Sequence, residues 1–483
     1  MLDVATAAPT ERSALGLARA IREGSLTSRE VVEAHVELAR RVNPGLRAIV
    51  AERFDAALVE ADAADERVAA GDDDDLPPFH GVPCTIKESF ALAGMPNCAG
   101  LVARRDHRAT QDAAAVARLR SAGAIPLGVT NTSELTMWIE SDNRVYGRTH
   151  NAYDRTRIAG GSSGGEGAAV GAGMAPIGLG SDIGGSIRLP AFFNGVFGHK
   201  PSAGLVPYSG SFPAPTGESA ARMLTTGPLT RRAEDLMPFL RAVAGADAGD
   251  PTSRDADIGD PADVELAGLD VVVSDGAFLT PVRRELDGAR ERAAGALAAA
   301  GASVRRERLT GMRRALEYFL AALRDGGEDL LEVFGLATPP VFHRIVLDHL
   351  RRRGDHTIAF GLLFAADRFA GLMPESMNRK ALAAGRSLAR EIDDVIGDGV
   401  LLHPPFPKVA PRHGKTIGRP WLIANAAVFN LLGLPVTEAP MGLGHEGLPL
   451  GVQVAARIDH DHVTIAVALE LERVFGGWVP PGR

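Results

Sequence analysis

The chain is poor in cysteine, lysine and aromatic residues, and it has no long apolar run. Two cysteines, Cys84 and Cys98, cannot build a disulfide framework, and neither sits in a CxxC pair. Both are expected as small buried thiols, which suits a reducing compartment. No stretch reaches the roughly 18 uninterrupted apolar residues that a spanning helix needs. The nearest, Trp421–Val436, is interrupted by Asn425, Asn430 and Pro435. No basic start followed by an apolar segment marks a signal peptide, so the expected location is cytoplasmic, with no obligate membrane anchor. The net charge of −8 gives no basic excess for nucleic acid or an anionic membrane surface.

Lysine is scarce among the basic residues. Of 52 Lys and Arg residues only five are lysines: Lys87, Lys200, Lys380, Lys408 and Lys415. Arginine fills nearly every place that needs only positive charge, whereas burial can strip a lysine of its proton. Acid is locally dense in Asp72–Asp75. Consecutive aspartates without kinked spacing do not converge on one ion, so this run reads as a solvated loop tip.

What is present describes a globular enzyme, with 45% hydrophobic and 23% charged residues in 483. Thr27-Ser28-Arg29-Glu30 reads as a capping box, opening a helix with Val31, Ala34, His35 and Leu38 on one face. Val82–Ile86 reads as a short strand ending in charge at Lys87. Residues 113–122 read as a helix stopped by Gly123, and 124–130 as a buried strand. A strand at 270–274, a helix at 282–300 and a strand at 303–306 repeat the alternation. Strands at 399–402, 436–439 and 450–455 and a closing helix at 463–474 complete it. This order predicts an α/β fold around a largely parallel or mixed sheet. No linker or repeat divides the chain, so one domain over 1–483 is expected, with a variable helical insertion at about 305–390. Phe342, Ile345, Leu350, Ile358, Phe360, Leu363, Phe364 and Phe369 in that insertion suit ordinary helix packing, with an apolar lid or a membrane-touching surface as the alternatives.

The densest chemistry lies in 158–190. Glycine and serine alternate there with Ile177, Leu179, Ile183 and Leu189 at core-like spacing, which argues against a flexible linker. Gly160–Gly165 could cradle a phosphate, but no Gly-Lys-Ser/Thr follows and no acidic residue completes a dinucleotide fingerprint. Acyl transfer fits better. Gly184 and Gly185 directly precede Ser186, and glycines let successive N–H groups converge on one oxyanion. A small-residue helix over 168–174 is expected to pack beneath. A serine nucleophile needs a base. His80, His150, His199, His403 and His413 are candidates without a triad context or a Gly-x-Ser-x-Gly elbow. Lys87 is the other candidate if burial neutralises it, against the plainer reading of an ion pair with Glu88. These residues alone leave the base open. Asp459-His460-Asp461-His462 resembles a metal ligand set, but its place before the closing helix favours capping by Asp459 or Asp461.

Three separated pieces resemble the amidase signature family: Gly81-Val82-Pro83 with Lys87-Glu88, the Gly160–Gly165 serine pair, and Asp182–Pro190. Ser162 lies 75 residues after Lys87, and Ser186 lies 24 after Ser162. The likeness continues through His199-Lys200-Pro201, Gly433-Leu434-Pro435, Gly447–Gly451 and Phe475–Trp478, and is greatest to fatty acid amide hydrolases of the second type. It is weakest in the helical insertion. The resemblance implies a large twisted mixed β-sheet flanked by helices on both faces. It implies an amidase that cleaves a C–N bond through a Ser186 acyl-enzyme, with Lys87 as base and Ser162, after a cis peptide bond, as proton relay. The N–H groups of Ile183, Gly184, Gly185 and Ser186 would bind the oxyanion. Ser163, Asp182 and Arg188 would support them, and Met137 and Trp138 would border the acyl pocket. The implied partner is a small-molecule amide, with no metal or organic cofactor needed and a homodimer left open. The alternatives are the glutaminase subunit of a tRNA-dependent amidotransferase, from which Gly165-Glu166-Gly167 differs, and a non-catalytic ligand-binding protein.

Overall fold

A computed structural model describes residues 8–71, 76–215, 217–274, 279–325, 330–336, 339–351, 353–370 and 374–482. The aspartate run 72–75 and the side chain of Phe369 lie outside the described residues. The strands of the main sheet are β1 (Ile49–Glu52), β2 (Val82–Lys87), β3 (Ala124–Thr130), β4 (Ile177–Asp182), β5 (Phe197–Lys200) and β6 (Thr225–Thr230). They continue with β7 (Asp270–Ser274), β8 (Ser303–Glu307), β9 (Val400–His403), β10 (Val436–Leu443) and β11 (Pro449–Ala455). These eleven form one sheet in the order β1-β3-β2-β4-β6-β5-β10-β11-β9-β7-β8. It is mixed: β2 runs parallel to both β3 and β4, whereas β4 is antiparallel to β6.

Register explains the layering. Val436 and Thr437 of β10 pair with Lys200 and His199 of β5, and successive strand residues face opposite sides of a sheet. Val436 packs with Val428 and Phe429 of the Ala424–Leu432 helix. Thr437 Oγ1 instead meets Thr464 Oγ1 at 2.8 Å, in the Asp461–Phe475 helix. Helices therefore cover both faces, and β2, buried at every residue, lies in the interior between them.

The capping box forms as expected: Thr27 Oγ1 accepts the Glu30 N–H at 3.0 Å, and Glu30 Oε2 accepts the Thr27 N–H at 2.8 Å. It opens a helix over Ser28–Leu46. Both cysteines are buried and free. Two expectations are corrected. The small-residue helix spans Gly164–Gly171 rather than 168–174, and Gly173, at φ +81°, follows it in a left-handed conformation. The closing helix has His460 at its N-cap without a side-chain cap bond. Asp459 instead pairs with Arg254, while buried Asp461 accepts from Ser202 N at 2.9 Å and Ser202 Oγ at 2.5 Å and lies 3.0 Å from His199 Nε2. Among the described residues no group of three or more His, Cys, Asp or Glu could hold a metal ion. No described helix is long and apolar enough to cross a membrane.

In the 305–390 region Ile345, Phe360 and Phe364 are buried, whereas Leu350 is 74% exposed. Lys87 and Lys200 are fully buried, Lys408 is half-buried, and Lys380 and Lys415 are exposed.

Candidate active site

β2 delivers Lys87 to the end of a wholly buried strand, opposite Thr130 of β3. Its Nζ lies 2.6 Å from Ser162 Oγ and 2.9 Å from Ser181 Oγ. Burial pulls the lysine from its ordinary value down to about 7, against the opposing pull of Asp182 and Glu166. Glu88 is not its ion-pair partner. That carboxyl accepts from the Cys98 and Ala99 N–H groups and from Tyr146 Oη.

Ser162 follows a cis peptide bond from Gly161. A side chain at Gly161 would place its Cβ 2.5 Å from Trp138 O, so only glycine fits beneath that loop. Ser141 Oγ donates to Ser162 O at 3.0 Å and accepts the Gly164 N–H at 2.9 Å, fixing the start of the Gly164–Gly171 helix. Ser163 ties this corner to the next. Its N–H donates to Ser186 O at 3.2 Å, and its Oγ donates to Ser181 O at 3.2 Å.

Asp182 ends β4, and the turn after it wraps around its carboxylate. Oδ1 accepts the Gly185 N–H at 2.8 Å, and Oδ2 accepts the Ile187 N–H at 3.0 Å. Arg188 donates to both oxygens, from Nη2 at 2.9 Å and Nε at 3.1 Å. The buried guanidinium also donates to Ala426 O, Gln453 Oε1 and Asn430 Oδ1, so the pair has none of the loose ends that make a buried charge costly. Burial alone would raise the Asp182 carboxyl, but the Arg188 charge and the hydrogen bonds hold it below its ordinary value. Asn430 Nδ2 adds bonds to Asp182 O at 3.0 Å and Oδ1 at 2.9 Å.

This turn presents Ser186, which is half-buried. The N–H groups of Ile183, Gly184 and Ser186 have no intramolecular hydrogen bond among the described residues. Gly185 departs from the expected set of oxyanion donors, because its N–H is taken by Asp182. Its φ of +111° and the 2.7 Å that would separate a Cβ from Ala426 Cβ make it the residue that lets the turn close. Among the described residues no hydrogen bond joins the Ser162 and Ser186 hydroxyls; the two serines are linked through the Ser163 backbone.

Met137 packs with Leu135, Phe334, Phe360 and Phe364, joining the loop before Gly161 to the 305–390 region. Trp138 Nε1 donates to Thr416 Oγ1 at 3.0 Å, and the indole lines a cleft of about 270 Å³ with Arg144, His349, Ile358 and Ile417. The histidine candidates are engaged elsewhere. His80 meets Ala64 O, His199 lies between Thr437 and Asp461, His403 meets Ser274, and His150 faces His413. Sequence reasoning passed over Ser181, Glu166, Asn430 and Gln453. Ser181 precedes Asp182 in a strand hidden by glycines, and the others reach the site only through tertiary packing.

A hydrolase acting on amides is the class that this fold and sequence define. The chain matches the profile of the family described as Amidase over residues 30–465, and it belongs to that family. It is 42% identical to Fatty-acid amide hydrolase 2-B of Danio rerio, over 97% of this chain and 90% of that one. It is 30% identical to a Glutamyl-tRNA(Gln) amidotransferase subunit of Oleidesulfovibrio alaskensis, over 95% of this chain and 96% of that one. Among solved structures, the native peptide amidase from Stenotrophomonas maltophilia superposes with a TM-score of 0.76 at 27% identity, over 98% of both chains.

Proposed function

We propose that the chain hydrolyses carboxylic amides bearing an apolar acyl group, through an acyl-enzyme on Ser186 with Lys87 as base and Ser162 as relay. The 2.6 Å contact between Lys87 Nζ and Ser162 Oγ inside a fully buried setting carries this reading. A lysine near neutrality can accept a proton at physiological pH, which an exposed one cannot.

In the proposed step the Ser186 hydroxyl turns toward Ser162 and passes it a proton as Ser162 passes its own to Lys87. Ser186 Oγ attacks the carbonyl, and the oxyanion forms against the N–H groups of Ile183, Gly184 and Ser186. The C–N bond then breaks as the proton returns through Ser162 to the leaving nitrogen. Water repeats the sequence on the ester, releasing the acid and restoring Ser186.

The apolar group around Met137 and the 42% identity to a fatty-acid amide hydrolase support an apolar acyl chain over a free amino acid amide. The glutaminase alternative has the lower identity, 30%. A fluorophosphonate probe should label the wild type and fail to label Ser186→Ala. Hydrolysis of fatty amides and anilides graded by acyl length, alongside glutamine, then ranks the substrates. A folded wild type that resists the probe overturns the reading.

A further inference from the structure

We propose that Glu166 is a positioning residue for the base: it locks the strand carrying Lys87 to the helix that follows Ser162, and its charge sets how readily Lys87 sheds its proton. This rests on the reading of Lys87 as base, and nothing in the family likeness assigns Glu166 a task.

Glu166 lies in the first turn of the Gly164–Gly171 helix, yet it is fully buried. Its carboxyl reaches into the sheet, where Oε2 accepts from Thr85 Oγ1 at 2.5 Å and Oε1 accepts from Thr130 Oγ1 at 2.6 Å. Both donors belong to the base's own setting. Thr85 stands two residues before Lys87 on β2, and Thr130 pairs with Lys87 across β2 and β3. The third wall is β4. A Cβ at Gly178 would lie 1.9 Å from Glu166 Oε2 and 2.9 Å from Thr85 Oγ1, so the absent side chain is the space the carboxyl fills. Three strands and one helix thus meet on a single carboxyl.

The titratable groups facing it are Cys84 and Lys87 on β2, with Asp182 at the end of β4 acting on the same lysine. Asp182 is held by Arg188, so Glu166 is the carboxyl in this group that burial lifts, to about 7. Its negative form favours the lysine cation; its neutral form favours the free amine. Glutamine retains the size and can still bond both threonines, but it cannot carry the charge.

The test is the pH dependence of kcat and kcat/KM for Glu166→Gln, Glu166→Ala and Gly178→Ala, with Lys87→Met as reference. Glu166→Gln should move the acidic limb of kcat/KM to lower pH, by about one unit. Glu166→Ala should cut plateau kcat by about tenfold or more with KM little changed, and glutamine should restore most of it. Gly178→Ala, which displaces the carboxyl, should lower kcat in the same sense. A Glu166→Gln profile that superimposes on the wild type overturns the proposal, as does undiminished kcat in Glu166→Ala. Undiminished turnover by Lys87→Met would instead overturn the assignment of the base.

Discussion

Asp182 accepts the Gly185 N–H at 2.8 Å, so the carboxylate that ends β4 also holds the turn presenting Ser186. The same side chain accepts from Arg188, Ile187 and Asn430. One buried anion therefore organises a strand end, a turn and two helices, leaving the preceding N–H groups without intramolecular partners among the described residues.

Asp182→Asn should destabilise the fold by about 3–5 kcal/mol at pH 7, because it leaves the Arg188 cation buried and unpaired. The effect depends on pH. The folded carboxyl titrates below its ordinary value of 3.8, so its stabilisation is present above that value and is lost as pH falls through the folded pKa. Urea unfolding should show the gap between wild type and variant shrinking as the pH drops below about 4.

Lys87→Met should abolish turnover and raise thermal stability. The folded lysine titrates near 7 against 10.5 when unfolded, so between these values the unfolded chain binds the extra proton and stability rises with pH. At pH 7 the native lysine therefore costs stability, and methionine removes that cost, less the lost bonds to Ser162 and Ser181. Calorimetry should show a gain of about 1 kcal/mol or more at pH 7, fading toward pH 10. An unchanged or lower midpoint would contradict it.

Ser181→Ala removes one of the two hydroxyls that orient Lys87 Nζ. The loss of one neutral hydrogen bond at the base should lower kcat/KM about tenfold. Ser162→Ala removes the relay itself and should cost about 10²–10⁴. Steady-state kinetics on one amide would rank the two, and an equal loss would contradict the assigned roles.

Asn430→Ala should destabilise by about 2–3 kcal/mol, since the side chain bonds Asp182, Met223 O and Arg188 within the core. The denaturant midpoint should fall with the slope unchanged.

Much of this architecture was legible in the chain because strands such as 82–87 and 124–130 carry their burial in local composition. β4 was not, since Gly178 and Gly180 interrupt its pattern. The reason is packing: Glu166 occupies the space at Gly178, and Leu229 and Ser163 crowd Gly180. Asp461 misled for a related reason. Its position suggests a helix cap, but tertiary partners at Ser202 and His199 claim the carboxylate. Lys87, Ser162 and Ser186 stand out through spacing and resemblance, whereas Ser181 and Glu166 have no local signature: Ser181 meets the lysine, and Glu166 the threonines beside it, only once β2, β3 and β4 are side by side.

The scarcity of lysine has a practical side. With Lys87 and Lys200 sealed inside, the exposed lysines among the described residues are Lys380 and Lys415, and these are therefore the exposed lysines open to an activated-ester resin. Lys415 adjoins Thr416, which receives the Trp138 indole, so tethering there crowds the cleft. Lys380 lies on the Glu375–Ile396 helix and offers the attachment point to keep when Lys415 is replaced by arginine.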